Sequence, residues 1–500
     1  MWRMSVDPRT PCLVGVAQHT VRDQPGPEPL DLWELAARGA AADAGVPSLL
    51  GRLDSIQLVY TESWQYDDPV ARLAERLKAA PRHRAYSAVS GTAPQTLLGT
   101  AAAAIAAGEM DAALVAGGEA LATRRALRRA GEKPAWSHRA HPRPPYGWER
   151  PPHPAELAHE FFLPVHTYPV METARRAAAG ESVEDEMRDR GRMMAPMSRV
   201  AAANPHAWHR TARTPEELVV PGPDNRFVGW PYTKRTVAFM DVDQAAALIM
   251  VSSGLADRLG VPAGRRIYLR GWAYAEDTWE VAARPVLGGS PAMAAAARHA
   301  LDRAGTGLDE IGALDLYSCF AIALRAACAA TGLDPLDGRG LTVTGGLPYA
   351  GAPVSVYVLH STAAMAERLR AEPGHGLVTG VGMHLTKHSW AVWSTEPGEA
   401  FRRGGAGPGM LRGAGEPVHV AEPVPIAGTC SGEATVAGYT VAHGRDGAAE
   451  RGVLVVDLPG GGRAHAVVRE PGLVAEAEAA ELVGRRVRLA ADGQVNVATW

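Results

Sequence analysis

The stretch SAVSGTAPQTLLGTAAAAIAAGEMDAALVAGGEA, residues 87–120, decides the architecture. Ser90-Gly91 opens a tight turn, and TLLGTAAAAIAAGE (96–109) reads as a close-packed helix of small residues. DAALVAGG (111–118) is an unbroken apolar run, as expected of a strand covered on both faces. The same alternation runs toward the N-terminus. CLVGVAQ (12–18) predicts a strand, LDLWELAARGAAADAG (30–45) a helix stopped by Gly45, and DSIQLVY (54–60) the next strand. Strands alternating with helices predict an α/β sheet.

A second series begins after residue 285 and keeps this order. PAMAAAARHALDRAG (291–305) predicts a helix ended by Gly305, and LDEIGALDLY (308–317) echoes LDSIQLVY (53–60). Gly345 to Leu385 then mirrors Gly91 to Glu119: glycine turn, alanine-rich helix, glycine, apolar strand. The shared order points to an internal duplication. At the head of that mirrored block, LTVTGGLPYAGAP (341–353) predicts a strand running through a double glycine into a helix.

Residues from about 121 to 238 break the pattern with Pro, His, Arg and Trp (HRAHPRPPYGWERPPHP, 138–154) and a charged helical piece near 181–193. They read either as an irregular surface insertion or as a loop domain laid over a site. FRRGGAGPGMLRGAGEP, from about 401, marks a linker. Beyond it, GEATVAGYTVAH (432–443), RGVLVVDL (451–458), RAHAVVRE (463–470) and GRRVRLA (484–490) predict a separate small β-barrel.

Five hundred residues suggest two or three domains, and 46% hydrophobic with 21% charged residues is ordinary for a globular chain. A net charge of −3 gives no electrostatic case for nucleic acid or a membrane surface as partner. No apolar run is long enough to span a bilayer, and the first residues lack a signal-peptide pattern. Cys12, Cys319, Cys328 and Cys430 match neither a disulfide framework nor metal-ligand spacing, which predicts a cytoplasmic protein with reduced thiols and no metal.

Five blocks carry a family likeness: the opening stretch, residues 87–120, TVAFMDVDQAAALIMVS (236–252), LDLYSCFAIA (314–323) and GLVTGVGM (376–383). Over residues 10–400 the chain resembles the thiolase superfamily. Its branch with an extra C-terminal domain, often named acetyl-CoA acetyltransferase, is the most similar. The resemblance implies a duplicated thiolase fold, layered αβαβα. An N-terminal half (1–252) would hold the loop-domain insertion (121–238). A C-terminal half (253–404) and an additional OB-like β-barrel (412–500) would follow.

A thiolase makes or breaks carbon–carbon bonds between acyl-CoA molecules, a reaction of lipid metabolism. It needs a cysteine at a helix N-terminus, a His in a Gly-His-Pro turn, a second cysteine, and an Asn or His holding the enolate oxygen. The resemblance places these four at Ala88 (Val89 in the neighbouring register), Ala352, Val381 and Tyr317, none of which retains the side chain required. Ser87 and Ser90 have no local His or carboxylate to activate them and are expected to cap the helix that follows.

The remaining candidates for catalysis are Tyr317 and Cys319, two residues apart on one face of an extended segment, and His384 after the last strand. Cys319 is expected to pack rather than react. His384 and His388, at metal-pair spacing, have no evident third ligand. The glycine turns at Ser90-Gly91, Gly345-Gly346 and Gly380–Gly382 admit two readings: a ligand close to the backbone with free amides, or tight packing alone. Likewise Arg124, Arg125, Arg128 and Arg129 suit either CoA phosphates or a solvated helix face.

Three functions follow. The first is an acyl-CoA-binding protein, nominally an acyltransferase, with thiolase activity absent or altered and no cofactor besides CoA or acyl-CoA as ligand. The second is a tyrosine-dependent retro-aldolase acting on acyl-CoA side chains through Tyr317. The third is a non-catalytic binding module. Monomer and homodimer both stand. Tyr439 and Trp500 are the sole aromatics of residues 430–500, which argues against a nucleic-acid-binding barrel.

Overall fold

The computed structural model describes residues 6–142, 147, 149–398 and 422–500, so the expected linker at 401–417 lies outside the described residues. In chain order the first strands are β1 (Pro11–Thr20), β2 (Ser55–Leu58), β3 (His83–Tyr86) and β4 (Ala112–Ala120). Two short strands follow, β5 (Phe227–Gly229) and β6 (Tyr232–Thr233). Then come β7 (Asp243–Ser252), β8 (Ile267–Glu276), β9 (Ile311–Asp315), β10 (His375–Gly382) and β11 (Lys387–Ser394). Nine of these form one mixed sheet in the order β3-β2-β4-β7-β1-β8-β11-β10-β9.

Apart from the edge strand β3, that order is a palindrome about the β1–β8 pair. On one side β2 and β4 are parallel neighbours and β7 runs antiparallel between β4 and β1. On the other, β9 and β10 are parallel and β11 runs antiparallel between β10 and β8. Since β1 and β8 themselves pair antiparallel, the halves are related by a local two-fold. The duplication legible in LDSIQLVY and LDEIGALDLY is the equivalence of β2 and β9. β4 and β7 are buried along their whole length, as the unbroken apolar runs require.

Between β9 and β10, the run Leu341–Thr344 is not a strand, contrary to its composition. Asp315, at the end of β9, takes its backbone instead: Oδ2 accepts from the Val343 and Thr344 amides at 3.0 and 3.1 Å and from the Thr342 and Thr344 hydroxyls at 2.8 and 3.0 Å. Oδ1 accepts from Tyr357 and Ser361 at 3.1 and 2.7 Å. A buried carboxylate so satisfied replaces a strand ladder.

The insertion is irregular over the described residues 130–153 but helical and buried beyond them. Its helices Pro164–Ala179 and Val183–Ala203 bury Glu172, Arg176, Glu186 and Arg190, and the charged piece expected near 181–193 opens the second. Tyr232 donates to Glu172 at 2.5 Å, and Arg325 from the helix Ala321–Thr331 reaches Glu186.

The tail supplies β12 (Gly432–His443), β13 (Ala449–Asp457), β14 (Arg463–Val468), β15 (Arg486–Asp492) and β16 (Val495–Thr499). They run β13-β14-β16-β15-β12, and the β12–β13 pairing closes the barrel. Its sheet extends into the insertion: β5 joins β12 at Gly229↔Ala442, and β6 follows it. The Trp230 amide donates to Val441 at 2.9 Å, and the Trp230 and Tyr439 rings stack at 5.4 Å. Thr173 bonds the backbone of Tyr439 in both directions, at 2.8 and 3.0 Å.

Among the described residues, no helix is long and apolar enough to cross a membrane.

Candidate functional site

Three distant segments meet at Gly91, where β3 has turned toward the helix Ala93–Ala107. A Cβ on Gly91 would lie 2.1 Å from the Val381 carbonyl oxygen and 2.5 Å from the Tyr317 hydroxyl. One on Gly382 would lie 2.2 Å from Ser90 Oγ, and one on Gly380 would lie 2.9 Å from the Gly91 carbonyl oxygen. Glycine is therefore required at Gly91 by close approach of backbone and ring rather than by a left-handed turn. The structure thus brings together the Ser90-Gly91 turn, Tyr317 and the β10 end that holds Gly380, Val381 and Gly382. The Ala88 side chain is partly buried on the same turn.

The Ala352 turn joins them through Ser355, whose hydroxyl accepts from the Ser90 amide at 3.0 Å. Ser90 Oγ in turn accepts from the Thr92 amide at 3.2 Å, so Ser90 shapes the entry to the helix. Ser87 does not cap; its Oγ accepts from the Tyr60 amide at 3.0 Å.

Gly345 and Gly346 face the insertion. Added Cβ atoms would lie 2.4 Å from Ala201 Cβ and 2.5 Å from Met197 Cε, both on the helix Val183–Ala203. The amides of Gly345, Gly346 and Leu347 donate to Thr342, Thr344 and Ser318 hydroxyls at 2.9–3.1 Å. With those donors satisfied internally, this turn presents no free amide row.

Tyr317 is buried, its amide donates to Thr379 Oγ1 at 2.8 Å, and its ring meets Tyr357 edge-on at 5.6 Å. Burial, with a smaller contribution from Cys319, raises its phenol above the usual range, so the hydroxyl is neutral. Burial also pushes the Cys319 thiol up to about 12, against the lowering effect of its Tyr168 bond. Such a thiol carries almost no thiolate at neutral pH.

Tyr168 was not foreseen. It lies on the insertion helix Pro164–Ala179 and stacks on Phe320 at 4.3 Å. Its hydroxyl donates to the Met383 carbonyl at 2.9 Å and accepts from the Leu385 amide at 3.1 Å. Next to it Thr167 Oγ1 meets His384 Nδ1 at 2.9 Å. The insertion therefore pins the β10–β11 hairpin, in which Met383 and Leu385 both have φ of 56°. Burial, helped by Arg284, lowers His384 to about 4 and leaves it neutral.

His388 lies apart from His384. Its Nε2 meets Asp277 Oδ2 and Ser290 Oγ, each at 2.9 Å, where Asp277 and Ser290 cap the helix Pro291–Ala304. Lys387 pairs with Glu149 over Trp279. The helical spacing of the two histidines is undone because 383–386 is a hairpin loop. Among the described residues, no group of three or more His, Cys, Asp and Glu side chains is placed to hold a metal ion.

On the outer side of the Leu347–Ala352 segment lies a hollow of about 210 Å³, lined by His209, Arg213, Lys234, Arg235, Phe239 and Tyr349 among others. The Phe239 backbone bonds this segment twice, donating to Leu347 and accepting from Ala352. Tyr349 Oη is buried without a partner. On the inner side a void of about 10 Å³, the size of one water, borders the partnerless Gln244 Oε1 and His360 Nε2. Of the four arginines of the helix Leu121–Arg129, Arg124 donates to the Glu62 carbonyl at 2.8 Å and Arg125 pairs with Asp241, while Arg128 and Arg129 are exposed.

Comparison with known proteins gives the fold a context. Residues 416–494 match the model of the thiolase-like protein type 1 additional C-terminal domain. The crystal structure of a monomeric SCP2-thiolase-like protein type 1 from Mycobacterium smegmatis is 31% identical, with a TM-score of 0.83 over 99% of this chain and 100% of that one. Human mitochondrial 3-ketoacyl-CoA thiolase in complex with CoA is 16% identical, with a TM-score of 0.57 over 79% of this chain and 100% of that one. The Ltp2-ChsH2(DUF35) aldolase is 18% identical, with a TM-score of 0.58 over 78% of this chain and 99% of that one. No curated protein matches the sequence.

Proposed function

The chain belongs to the SCP2-thiolase-like proteins of type 1, and from that membership we propose that it binds an acyl-CoA without thiolytic turnover. One observation supports the reading: the Gly91, Val381 and Tyr317 segments converge, and of the described groups near them the Cys319 thiol is pushed up by burial and the His384 imidazole is engaged with Thr167. Ala88, Ala352 and Val381 have no exchangeable side-chain proton, and His384 is neutral and engaged with Thr167. The basic hollow at Arg213, Lys234 and Arg235 supports a ligand with phosphates, and the apolar body of Phe239 beside it suits an adenine or pantetheine arm.

The neutral, buried hydroxyl of Tyr317 against Gly91 favours one second reading, retro-aldol cleavage with Tyr317 as proton donor and acceptor. The edge strand β3 carries exposed His83 and Arg84, which oppose edge-to-edge pairing and support a monomer. Four free cysteines, none in a disulfide, support a cytoplasmic setting.

The test is calorimetric titration with acetyl-CoA, followed by analysis of the mixture. Saturable binding, weakened by Lys234→Ala, with all acyl-CoA recovered is expected. Thiolysis of acetoacetyl-CoA above background refutes the proposal. Release of an aldehyde or ketone from a β-hydroxyacyl-CoA, abolished by Tyr317→Phe, replaces it with the second reading.

A further inference from the structure

Past the C-terminal ends of the parallel strands β2 and β4 lies a second hollow, of about 230 Å³. Glu62, Ser63, Trp64 and Gln65 come from the loop after β2, Arg124 from the helix after β4, and Arg139 and His141 from the following segment. Open α/β sheets receive ligands at such strand ends. The hollow is separate from the Gly91 convergence: none of the residues that line it is among those that meet at Gly91.

Its wall is built before any ligand arrives. Buried Glu119 accepts from the Glu62 amide at 2.7 Å, the Ser63 amide at 2.8 Å and the Ser63 hydroxyl. Arg124 braces the same loop by donating to the Glu62 carbonyl. On the opposite side Trp64 Nε1 donates to the Ser137 carbonyl at 2.9 Å, and Ser137 is held by Glu28 at 2.7 and 2.8 Å. Trp136 meets Trp64 edge-on at 5.5 Å. A rigid indole thus forms one wall, and Pro134 and Ala140 add apolar surface.

The charge is one-sided. Arg124 and Arg139 line the hollow against one acid, Glu62, which accepts from Tyr60 at 3.1 Å and stands 4.0 Å from Arg124. Arg139 has no carboxylate partner among the described residues; its guanidinium lies 5.3 Å over the Trp64 ring, aimed by cation–π contact. Two guanidiniums beside a fixed indole recognise an anionic head on a flat body. The volume is below the roughly 300 Å³ of pockets that enclose drug-sized molecules, so a single-ring ligand fits and an acyl-CoA does not.

We propose that this hollow is a binding site for a small aromatic carboxylate, its carboxylate held by Arg124 and Arg139 and its ring laid against Trp64, Pro134 and Ala140. The site is independent of the acyl-CoA reading above, and the experiment separates the two.

Benzoate is titrated into the full-length protein by calorimetry, with inorganic phosphate and acetyl-CoA as competitors. Saturable benzoate binding is expected, weakened about tenfold or more by Arg139→Gln and by Arg124→Gln, since each removes a charge-assisted contact. The exposed Arg368→Gln, which also removes a positive charge, leaves it unchanged. Neither phosphate nor acetyl-CoA displaces benzoate. Circular dichroism of the two site variants matches wild type, because both guanidiniums lie at the surface. Absence of saturable binding, equal binding by Arg139→Gln and wild type, or displacement by phosphate overturns the proposal. Displacement by acetyl-CoA overturns it too, since the hollow then belongs to the acyl-CoA site.

Discussion

Asp315→Asn tests the account of the 341–346 segment. The carboxylate accepts six hydrogen bonds and is fully buried. Asparagine keeps one oxygen, best placed on the four-donor side, and turns an NH₂ toward Tyr357 and Ser361. Those two hydroxyls must then reverse from donor to acceptor. The four contacts that remain lose their charge assistance. Net values fall from about 1.5–3 to about 0.5–1.5 kcal/mol each, with desolvation already contained in them, so about 1 kcal/mol is lost per bond. The sum is a destabilisation of roughly 3–5 kcal/mol, against about 1.5–3 kcal/mol for Ser361→Ala, whose hydroxyl makes one of the six bonds. Urea unfolding followed by tryptophan fluorescence reads the difference, and limited proteolysis shows whether residues 341–346 are released first. If Asp315→Asn shifts the midpoint no more than Ser361→Ala does, the carboxylate is not what organises this segment.

Gly91→Ala should destabilise by about 1–3 kcal/mol, because the new Cβ meets the Val381 backbone and not merely a movable side chain. Added to Tyr317→Phe, it should be less than additive, and strict additivity of the two in unfolding midpoints argues against contact. Stability should fall as the pH drops below about 6.5. His360 and His465 are each held down to about 3 by burial, so between those values the unfolded chain binds protons that the folded chain refuses. At pH 5 each costs about 2 kcal/mol; a flat pH–Tm profile between 6.5 and 4.5 contradicts this. Cys12, Cys319 and Cys328 are pushed up to about 12 by burial, whereas Cys430 is partly exposed. Iodoacetamide at pH 8 should therefore modify Cys430 first, and rapid modification of Cys319 would revive it as a nucleophile.

Much of the scaffold is legible because its signals are local. Helices with a proline at the start and a left-handed glycine at the end, such as Pro291–Ala304 with Gly305, declare both limits. The duplication is legible because β2 and β9 share residues in order. β3 escapes notice, since HRAY at a sheet edge is largely exposed and has no apolar pattern. Thr342-Val343-Thr344 misleads because β-branched residues serve strands and threonine hydroxyls serve carboxylates equally well. The clue was Asp315 inside LDLY, a charge in an apolar strand that demands partners. Tyr317, Gly91 and Val381 could be placed together only through the family likeness. Tyr168, contributed by the insertion, has no sequence signal, because its contacts at Phe320 and Met383 are more than 150 positions away.

The seam between insertion and barrel has a consequence for biogenesis. Trp230 and the Thr173–Arg176 face emerge from the ribosome some two hundred residues before Tyr439, the residue they pack on. Until β12 arrives, that face stays open to water, chaperones or a neighbouring nascent chain. Truncation before the tail should therefore yield a molecule that keeps its main sheet yet aggregates through its own insertion. On that expectation the tail would have a second use during synthesis, covering a face that the insertion exposes first.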